Sequence, residues 1–339
     1  MSFASTSLSL LDIQTALGGT NPISMNEYYN NAVPGYGIGV LGVSSINNPI
    51  DIGSFTGKAI PTTITLSNSG QALTNFAVNF TLNYKSSYGT TFQDLRFYDE
   101  ATNTLLSHWY ESVTNGTSAN VWLKLPTFTN GTRIKVSTGN SSSTGTASSV
   151  FALYEDFSSF DTTNKWTVAG GAYSSATNNF QYTSTTFSYA VTKSNYPMDM
   201  VVETFTSTGS ANAIPEFILR GNIAANTGIK ARVDCRTPAS GGVGSYLNAP
   251  FVSWGILYQP NNFSFPSNGT FQKIKFTASS SNYTFSYNDV LATSYTNSTT
   301  SLMNTSGVIG FTNHNGAPVT TSWIRAYPST SNNISVSIV

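Results

Sequence analysis

The feature that most constrains the fold is an alternation of apolar and polar residues that starts at Ala59 and recurs along the rest of the chain. In the clearest run, small or polar residues separate Phe76, Val78, Phe80 and Leu82. A period of two places successive side chains on opposite faces of a strand, so each run predicts a strand with one buried face. The runs show no helical period, and the chain is therefore predicted to be all-β.

The alternating runs fall into two groups, which predict two tandem β-sandwich domains. Residues 59–140 hold several strand-like runs, as in a small β-sandwich. Residues 141–149 are predicted to form a polar linker. Together with the two residues before them they read GNSSSTGTASS. Residues 150–339 hold many more short runs, which suits a two-sheet jelly roll with a larger core. Residues 36–58 are rich in glycine and are predicted to be a connecting segment.

Residues 1–35 differ from the rest, because their pattern predicts two small helices. The first begins near Ser9 and ends at Gly18-Gly19, where a helix commonly stops. The second follows Ser24-Met-Asn-Glu27, which has the spacing of a capping box. Helices of about two turns are not stable alone in water. They need a surface to dock on, and that surface is either the body of this chain or a partner.

The charge content excludes several classes of partner. Only 9% of the residues are charged, against roughly 25% in ordinary soluble domains, and 15 basic residues balance 15 acidic ones. A neutral surface of this kind argues against nucleic acid and against an anionic membrane. The single cysteine, Cys235, excludes an intrachain disulfide, and with two distant histidines it leaves no zinc-type cluster. No metal or other cofactor is predicted, and no apolar run reaches the length of a membrane span.

A catalytic site is not apparent, and the chain is not expected to be an enzyme. Glycosidases need two carboxyl groups roughly 5–9.5 Å apart. The nearest approach to such a pair is Asp199 with Glu203, which share a strand face but lie about 13 Å apart at four residues' separation. His108 and Glu111 are three residues apart and belong to opposite faces of a strand. His108 is therefore predicted to be a satisfied interior or edge histidine.

Sugar binding is the more plausible chemistry, since aromatic rings can stack on pyranose faces. Four aromatic residues of the second domain are candidates for this role: Tyr246, Trp254, Tyr258 and Phe263. The competing explanation for each of them is packing in the core, because half of the aromatic residues in any sandwich point inward.

The N-terminal segment LSLLDIQTALGGTNPISMNEYYNNA is similar to a segment of many tailed-phage and prophage virion proteins. Those segments are a short helix followed by GG-x-x-PIS-x-x-x-YY. The resemblance implies that this segment docks the chain on a particle. The docking residues would be Leu11, Ile13, Leu17, Pro22, Ile23, Tyr28 and Tyr29.

A second resemblance covers most of the remaining chain. The motifs RFYD (Arg96–Asp99), LLSHWYE (Leu105–Glu111) and NVWLKLP (Asn120–Pro126) resemble a β-sandwich domain of unknown function. In that family a YEDFS…W stretch, here Tyr154–Ser158 with a following tryptophan, often leads into a concanavalin A-like lectin or laminin-G-type jelly roll. The chain departs from the family's YVYYGN ending, where it has IKVSTGN. A jelly roll of that type is expected for residues 150–339.

Together these observations predict a non-enzymatic structural component of a phage particle, located in the virion. It would be a fibre-like, decoration or tail-associated protein, docked on other virion proteins through residues 1–35 and projecting two β-sandwiches. A homo-oligomer within the particle and a host-surface glycan are the other expected partners. The alternative is a carbohydrate-binding module of a secreted or surface protein.

Overall fold

The fold is known from a computed structural model. The structure describes residues 62–169, 179–182, 188–209, 213–222, 224–225, 227–234, 240–247, 255–258, 269–296, 306–313 and 318–339. Antiparallel strands dominate these ranges, so the predicted all-β class with two sandwich units is confirmed. Within the same ranges no helix has the length and apolar character needed to cross a membrane. The predicted N-terminal helices, docking residues and connecting segment lie outside the described residues.

The first unit is a sandwich of two antiparallel sheets, with a short helix in its last segment. Sheet A has the order β22-β1-β7-β3-β4, and sheet B has the order β2-β6-β5. The elements of this unit are β1 (Thr62–Asn68), β2 (Leu73–Asn83), β3 (Arg96–Asp99), β4 (Thr104–Leu105), β5 (Ser107–Thr114), β6 (Ser118–Phe128), β7 (Thr132–Ser137), α1 (Ala147–Val150) and β22 (Ile334–Ile338).

The core of the first unit follows the alternation in its strands. Val121, Leu123 and Leu125 are fully buried between the two sheets, whereas Trp122 is outside this core cluster, as strand parity predicts. Phe80 of sheet B meets Phe97 of sheet A edge to face, with ring centroids 6.4 Å apart. The two sheets are thus held together by the apolar faces that the sequence pattern indicates.

The last strand corrects the predicted boundary of the second domain. β22 lies in the first unit, where it pairs antiparallel with β1 in the register Ile64↔Ile338 to Asn68↔Ile334. The second unit therefore ends at Ser331 instead of Val339. The local pattern could not show this return, because an alternating run does not state which strand it pairs with.

The predicted linker, residues 141–149, is also part of the first unit. The Ser143 amide donates to the Gln93 carbonyl at 2.8 Å, and the Arg96 guanidinium donates to the Ser141 carbonyl at 2.6 Å. In α1, Ala147 and Val150 are buried. This polar segment is thus tied to the body of the first unit by its backbone, and it is not a free spacer.

The second unit is a larger sandwich of two seven-stranded antiparallel sheets. Sheet C has the order β10-β21-β12-β17-β18-β19 with β8 paired to β21, and sheet D has the order β16-β15-β14-β13-β20-β11-β9. The strands are β8 (Leu153–Glu155), β9 (Trp166–Ala169), β10 (Phe180–Tyr182), β11 (Ser188–Thr192), β12 (Met200–Thr208), β13 (Pro215–Asn222), β14 (Thr227–Asp234), β15 (Ser240–Leu247), β16 (Gly255–Tyr258), β17 (Gln272–Ser279), β18 (Asn282–Tyr287), β19 (Val290–Thr296), β20 (Val308–Asn313) and β21 (Val319–Pro328).

The core of the second unit joins the inner faces of sheets C and D. Phe217, Ile229 and Phe311 of sheet D are buried in one cluster with Phe276 and Ile324 of sheet C. The residues that alternate with them on sheet D belong to its other face. That outer face carries the unusual polar groups described next.

Candidate functional site

A row of polar residues crosses the outer face of sheet D. Its members are opposite one another in register and share a face: Arg232, Glu216, Thr312 and Tyr189. We call these four residues the polar row. Glu216 and Thr312 in the middle are fully buried, whereas Arg232 and Tyr189 are partly exposed. A carboxylate and its neighbours are therefore enclosed in the middle of a β-sheet.

The two carboxylate oxygens of Glu216 have different surroundings. Oε2 accepts a hydrogen bond from Lys230 Nζ at 2.8 Å and one from the Thr312 hydroxyl at 3.1 Å. Oε1 has no hydrogen-bond donor among the described residues, and the nearest cation, Arg232 Nη1, lies 4.0 Å away. That distance is too long for a hydrogen bond. One oxygen of a fully buried carboxylate is thus left without a donor.

This arrangement is energetically costly for the folded protein. Lys230 is as completely buried as Glu216, and burial lowers its pKa although Glu216 favours the charged form. An ion pair in the interior often fails to recover the desolvation energy of its two charges. A buried acceptor without a donor costs about 1–3 kcal/mol more. Groups of this kind in native proteins call for an explanation, and ligand binding is one of the usual ones.

The sequence-based reasoning missed these residues, although a signal for them exists. In β13, Glu216 and Ile218 are two residues apart, so the face that carries the carboxylate also carries a buried aliphatic residue. In β14, Lys230 and Arg232 alternate with apolar residues that face the core. Ile218 packs with Val191 and Val308 in a small apolar cluster on this outer face. Charged and aliphatic residues mixed on one face indicate a surface that is not simply solvated.

The predicted aromatic sugar site is only partly within the described residues. Tyr246 lies in β15 opposite Gly228, at a position two residues from Lys230 in register. Tyr258 lies in β16 opposite Val243, which is itself opposite Ala231. Directly opposite positions share a face, so the two tyrosine positions belong to opposite faces of sheet D. Trp254 and Phe263 lie outside the described residues.

A second group of aromatic residues lies on the outer face of sheet C. Phe205 and Trp323 are opposite in register, and their rings are nearly parallel with centroids 5.9 Å apart. Phe271 stacks against Phe205 at 5.3 Å, and the Arg325 guanidinium lies over the Trp323 ring at 4.9 Å. The three aromatic residues are half-buried, and each ring stacks on at least one other protein group. This stack therefore supports the sheet.

Asp199 and Glu203, the nearest approach to a catalytic pair in the sequence, lie in separate hydrogen-bond and ion-pair networks. Asp199 accepts from the Ser280 amide at 2.6 Å and pairs with Arg220 at 3.3 Å. Glu203 is bound by Arg325 at 2.5 Å and by the Tyr327 hydroxyl at 3.0 Å. In the described part of the chain no cluster of three or more His, Cys, Asp or Glu side chains is suited to holding a metal ion. Cys235 and His314 lie outside that part.

The first unit separates His108 from Glu111, as strand parity predicts. His108 is opposite Leu123 and packs against Phe97 and Tyr110 with ring centroids 5.3 and 5.4 Å away. Its interior position agrees with expectation, but Nε2 has no hydrogen-bond partner among the described residues, so it is not fully satisfied. Burial, and secondarily the charge of Arg96, lower the pKa of His108.

A β-bulge gives Glu111 a role that its sequence position did not show. The register of β5 shifts between Tyr110 and Ser112, so Glu111 is the extra residue. Its Oε2 accepts from Trp122 Nε1 at 2.9 Å and from Asn120 Nδ2 at 3.1 Å. The HWYE and NVWLKLP motifs are therefore joined by one hydrogen-bond network.

Comparison with known families supports the second resemblance. Residues 91–169 match the family described as a domain of unknown function, DUF2341. The match starts in the loop before β3 and ends with β9, so it runs from the first unit into the second. No match is found among curated proteins. The family's description assigns no activity to these motifs.

Solved structures with a similar fold include sugar-binding modules and glucanases. The carbohydrate-binding module CBM66 from Bacillus subtilis is 14% identical, with a TM-score of 0.41, and covers 48% of this chain and 96% of its own. The carbohydrate recognition domain of Emp47p is 13% identical, with a TM-score of 0.40, over 52% and 94%. The Bacillus licheniformis β-glucanase is 11% identical, with a TM-score of 0.39, over 52% and 98%. Similarities this low do not distinguish binding from hydrolysis.

Proposed function

We propose that the second unit is a non-catalytic carbohydrate-binding module and that the polar row on sheet D is its recognition site. The observation that supports this proposal is the gap between Glu216 Oε1 and Arg232 Nη1. The carboxylate oxygen has no donor among the described residues, and the guanidinium 4.0 Å away is a group that can donate. A group that both donates and accepts can bridge them.

A sugar hydroxyl has the required chemistry. Its O–H donates one hydrogen bond, and its oxygen accepts others. With hydrogen bonds of about 2.8 Å to each side, a hydroxyl oxygen fits between two atoms 4.0 Å apart. Hydrogen bonds to charged partners are the stronger ones, so each such hydroxyl contributes substantially to affinity and orientation. Arg232, which is partly exposed, connects this position to the surface.

The same geometry argues for binding without hydrolysis. Glycoside hydrolysis uses two carboxyl groups placed on either side of the scissile bond. Among the described side chains on the outer face of sheet D, Glu216 is the sole carboxylate, and its Oε2 is held by Lys230 and Thr312. A carboxylate fixed in this way positions a ligand and does not attack it.

The experiment that tests the proposal is a glycan-binding screen of the full chain, followed by titration of the best ligand. We expect Glu216→Gln to weaken that binding at least about tenfold, equivalent to 1.4 kcal/mol, because the amide cannot accept at both of the original oxygens. Glu203→Gln is the matched control, since it removes a buried carboxylate from sheet C of the same unit. Thermal melting of each variant shows that it is folded.

The outcomes separate a binding role from a structural one. Binding that is lost in Glu216→Gln and retained in Glu203→Gln supports the site. Equal affinities of the two variants, or no binding to any glycan, would contradict it. Shortened glycans after long incubation would contradict the non-catalytic part of the proposal alone.

The predicted virion role is a separate proposal for residues 1–35, and its support is the sequence resemblance of that segment. Mass spectrometry of purified phage particles should detect the chain. A chain that lacks residues 1–35 should keep the melting behaviour of its two units but no longer incorporate into particles. Incorporation of the shortened chain would contradict docking through this segment.

A further inference from the structure

Lys135 occupies an unusual position in the first unit. It lies in β7 between Ile134 and Val136, both of which are in the core, so Lys135 belongs to the outer face of sheet A. Its opposite neighbours in register are Thr63 and Tyr98. Although it is on the outer face, Lys135 is only 4% exposed. A lysine is rarely enclosed to this extent without an ion pair.

The ammonium group of Lys135 has no carboxylate within ion-pair distance among the described residues. Nζ lies over the Tyr98 ring, 5.0 Å from its centroid, and donates to Asn103 Oδ1 at 3.2 Å. Burial lowers the pKa of Lys135, while the negative charge of Glu100 opposes that shift. The amine is therefore easier to deprotonate than that of an exposed lysine, and it is held against a side-chain amide.

Asn103 is presented to this amine by a tight turn. It lies between β3 and β4 with φ of 54°, a left-handed conformation that asparagine tolerates better than most residues. The side chain extends from the turn to the neighbouring strand β7, where Lys135 Nζ meets it. The amine and the side-chain carbonyl are thus held next to each other, which lowers the entropic cost of a reaction between them.

We propose that Lys135 and Asn103 form a side-chain amide crosslink. Lys135 Nζ, as the free amine, attacks Asn103 Cγ and forms a new C–N bond. The Cγ–Nδ2 bond then breaks, and Nδ2 leaves as ammonia with one hydrogen taken from Nζ. Starting from the ammonium form, the products are the secondary amide and one ammonium ion. No oxidant, cofactor or other reactant is needed.

The crosslink would close a covalent ring from residue 103 to residue 135. This ring contains β4, β5 and β6, and with them Glu111, Asn120 and Trp122 of the motif network. A covalent loop of this length restricts the unfolded chain in the way a disulfide does. It would brace the first unit in a chain whose single cysteine cannot form an internal disulfide.

Mass spectrometry of the purified full chain tests this proposal. We expect an intact mass about 17 Da below that of the sequence, equal to one ammonia. Trypsin does not cut after an acylated lysine, so digestion should yield residues 97–124 joined to residues 134–165. The melting temperature of the first unit should fall by about 10 °C in variants that cannot react.

Two variants and one internal comparison make the result decisive. Asn103→Gly removes the amide and allows the left-handed turn, whereas Lys135→Met keeps the apolar part of the side chain. Both variants should therefore fold, and each should have the full mass calculated from its own sequence. A succinimide at Asn115-Gly116 also loses ammonia, but it would leave peptides 97–124 and 134–135 separate and would persist in Asn103→Gly. A full intact mass, with normal cleavage after Lys135, would overturn the proposal.

Discussion

The two units have similar apolar cores but differ in where their ion pairs lie. In the first unit the Arg133–Glu100 pair is at the surface, with the arginine side chain 55% exposed. Among the described residues of the second unit, two ion pairs have both members buried: Glu216 with Lys230 and Glu203 with Arg325. Both units have apolar cores built from alternating strands. Their difference is therefore not in the core but on the outer faces of the sheets.

That difference indicates which unit has the more specialised surface. Buried ion pairs add little to stability compared with apolar residues of the same size, so retaining them favours a role in specificity. Two of the buried carboxylates of the second unit, Glu203 and Glu216, can also be compared with each other. Glu203 has donors for both oxygens, whereas Glu216 has donors for only one. The carboxylate with one unsatisfied oxygen marks the candidate ligand site, and the carboxylate whose two oxygens both have donors marks a structural brace.

The largest expected effect comes from removing the lysine of the buried Glu216–Lys230 ion pair. Lys230→Met leaves Glu216 buried without its cation, so we expect a loss of about 3–5 kcal/mol in the free energy of unfolding. Chemical denaturation of the second unit measures it. The double variant Glu216→Gln with Lys230→Met should recover part of the loss, because no isolated charge remains. A loss below about 1 kcal/mol would show that the pair is not buried in solution.

The next effect concerns a hydrogen bond from a tryptophan to a glutamate, of which each unit has an example. Trp166 Nε1 donates to Glu155 in the second unit at 3.0 Å, as Trp122 Nε1 does to Glu111 in the first at 2.9 Å. Replacement by Phe removes the bond and leaves a cavity in both. We expect about 3 kcal/mol for Trp166→Phe, which is in the core, and about half of that for Trp122→Phe, which is outside it. Chemical denaturation measures both losses. A larger loss for Trp122→Phe than for Trp166→Phe would contradict the placement of Trp166 in the core and of Trp122 outside it.

A smaller effect is the pH dependence of the first unit. His108 has a lowered pKa in the folded state, and in the unfolded chain its pKa is near 6.5. Below about pH 6.5 the unfolded state binds the proton more readily, so stability falls as pH decreases, by at most about 1.4 kcal/mol per pH unit. His108→Phe keeps an aromatic ring against Phe97 and should remove this part of the slope between pH 7.5 and 5.5. An unchanged slope in the variant would assign it to other groups.

The smallest effect is expected at the surface ion pair of the first unit. Arg133→Ala breaks the pair with Glu100 and should change the free energy of unfolding by less than about 1 kcal/mol, because the arginine is more than half exposed and solvent screens its charge. Added salt should reduce the change further. A loss as large as that of Lys230→Met would remove the contrast between the two units.

Much of the fold could be predicted from local pattern. The period of two identified the strands, and it correctly put Val121 in the core with Trp122 outside it. It also separated His108 from Glu111. The candidate site could not be found in this way, because Glu216, Arg232 and Thr312 come from three strands that are distant in sequence. In the sequence alone, these residues look like an ordinary solvated strand face, because their burial depends on the tertiary structure.

The sequence by itself determined the all-β class, the two sandwich units and the core faces of their strands, because side-chain alternation is a local property of extended backbone. Strand partners, by contrast, depend on contacts between distant residues. Tertiary structure alone placed β22 beside β1, brought Lys135 to Asn103, and set Arg232 4.0 Å from a fully buried Glu216 oxygen. Both proposed sites depend on such long-range neighbours, and local periodicity holds no information about them.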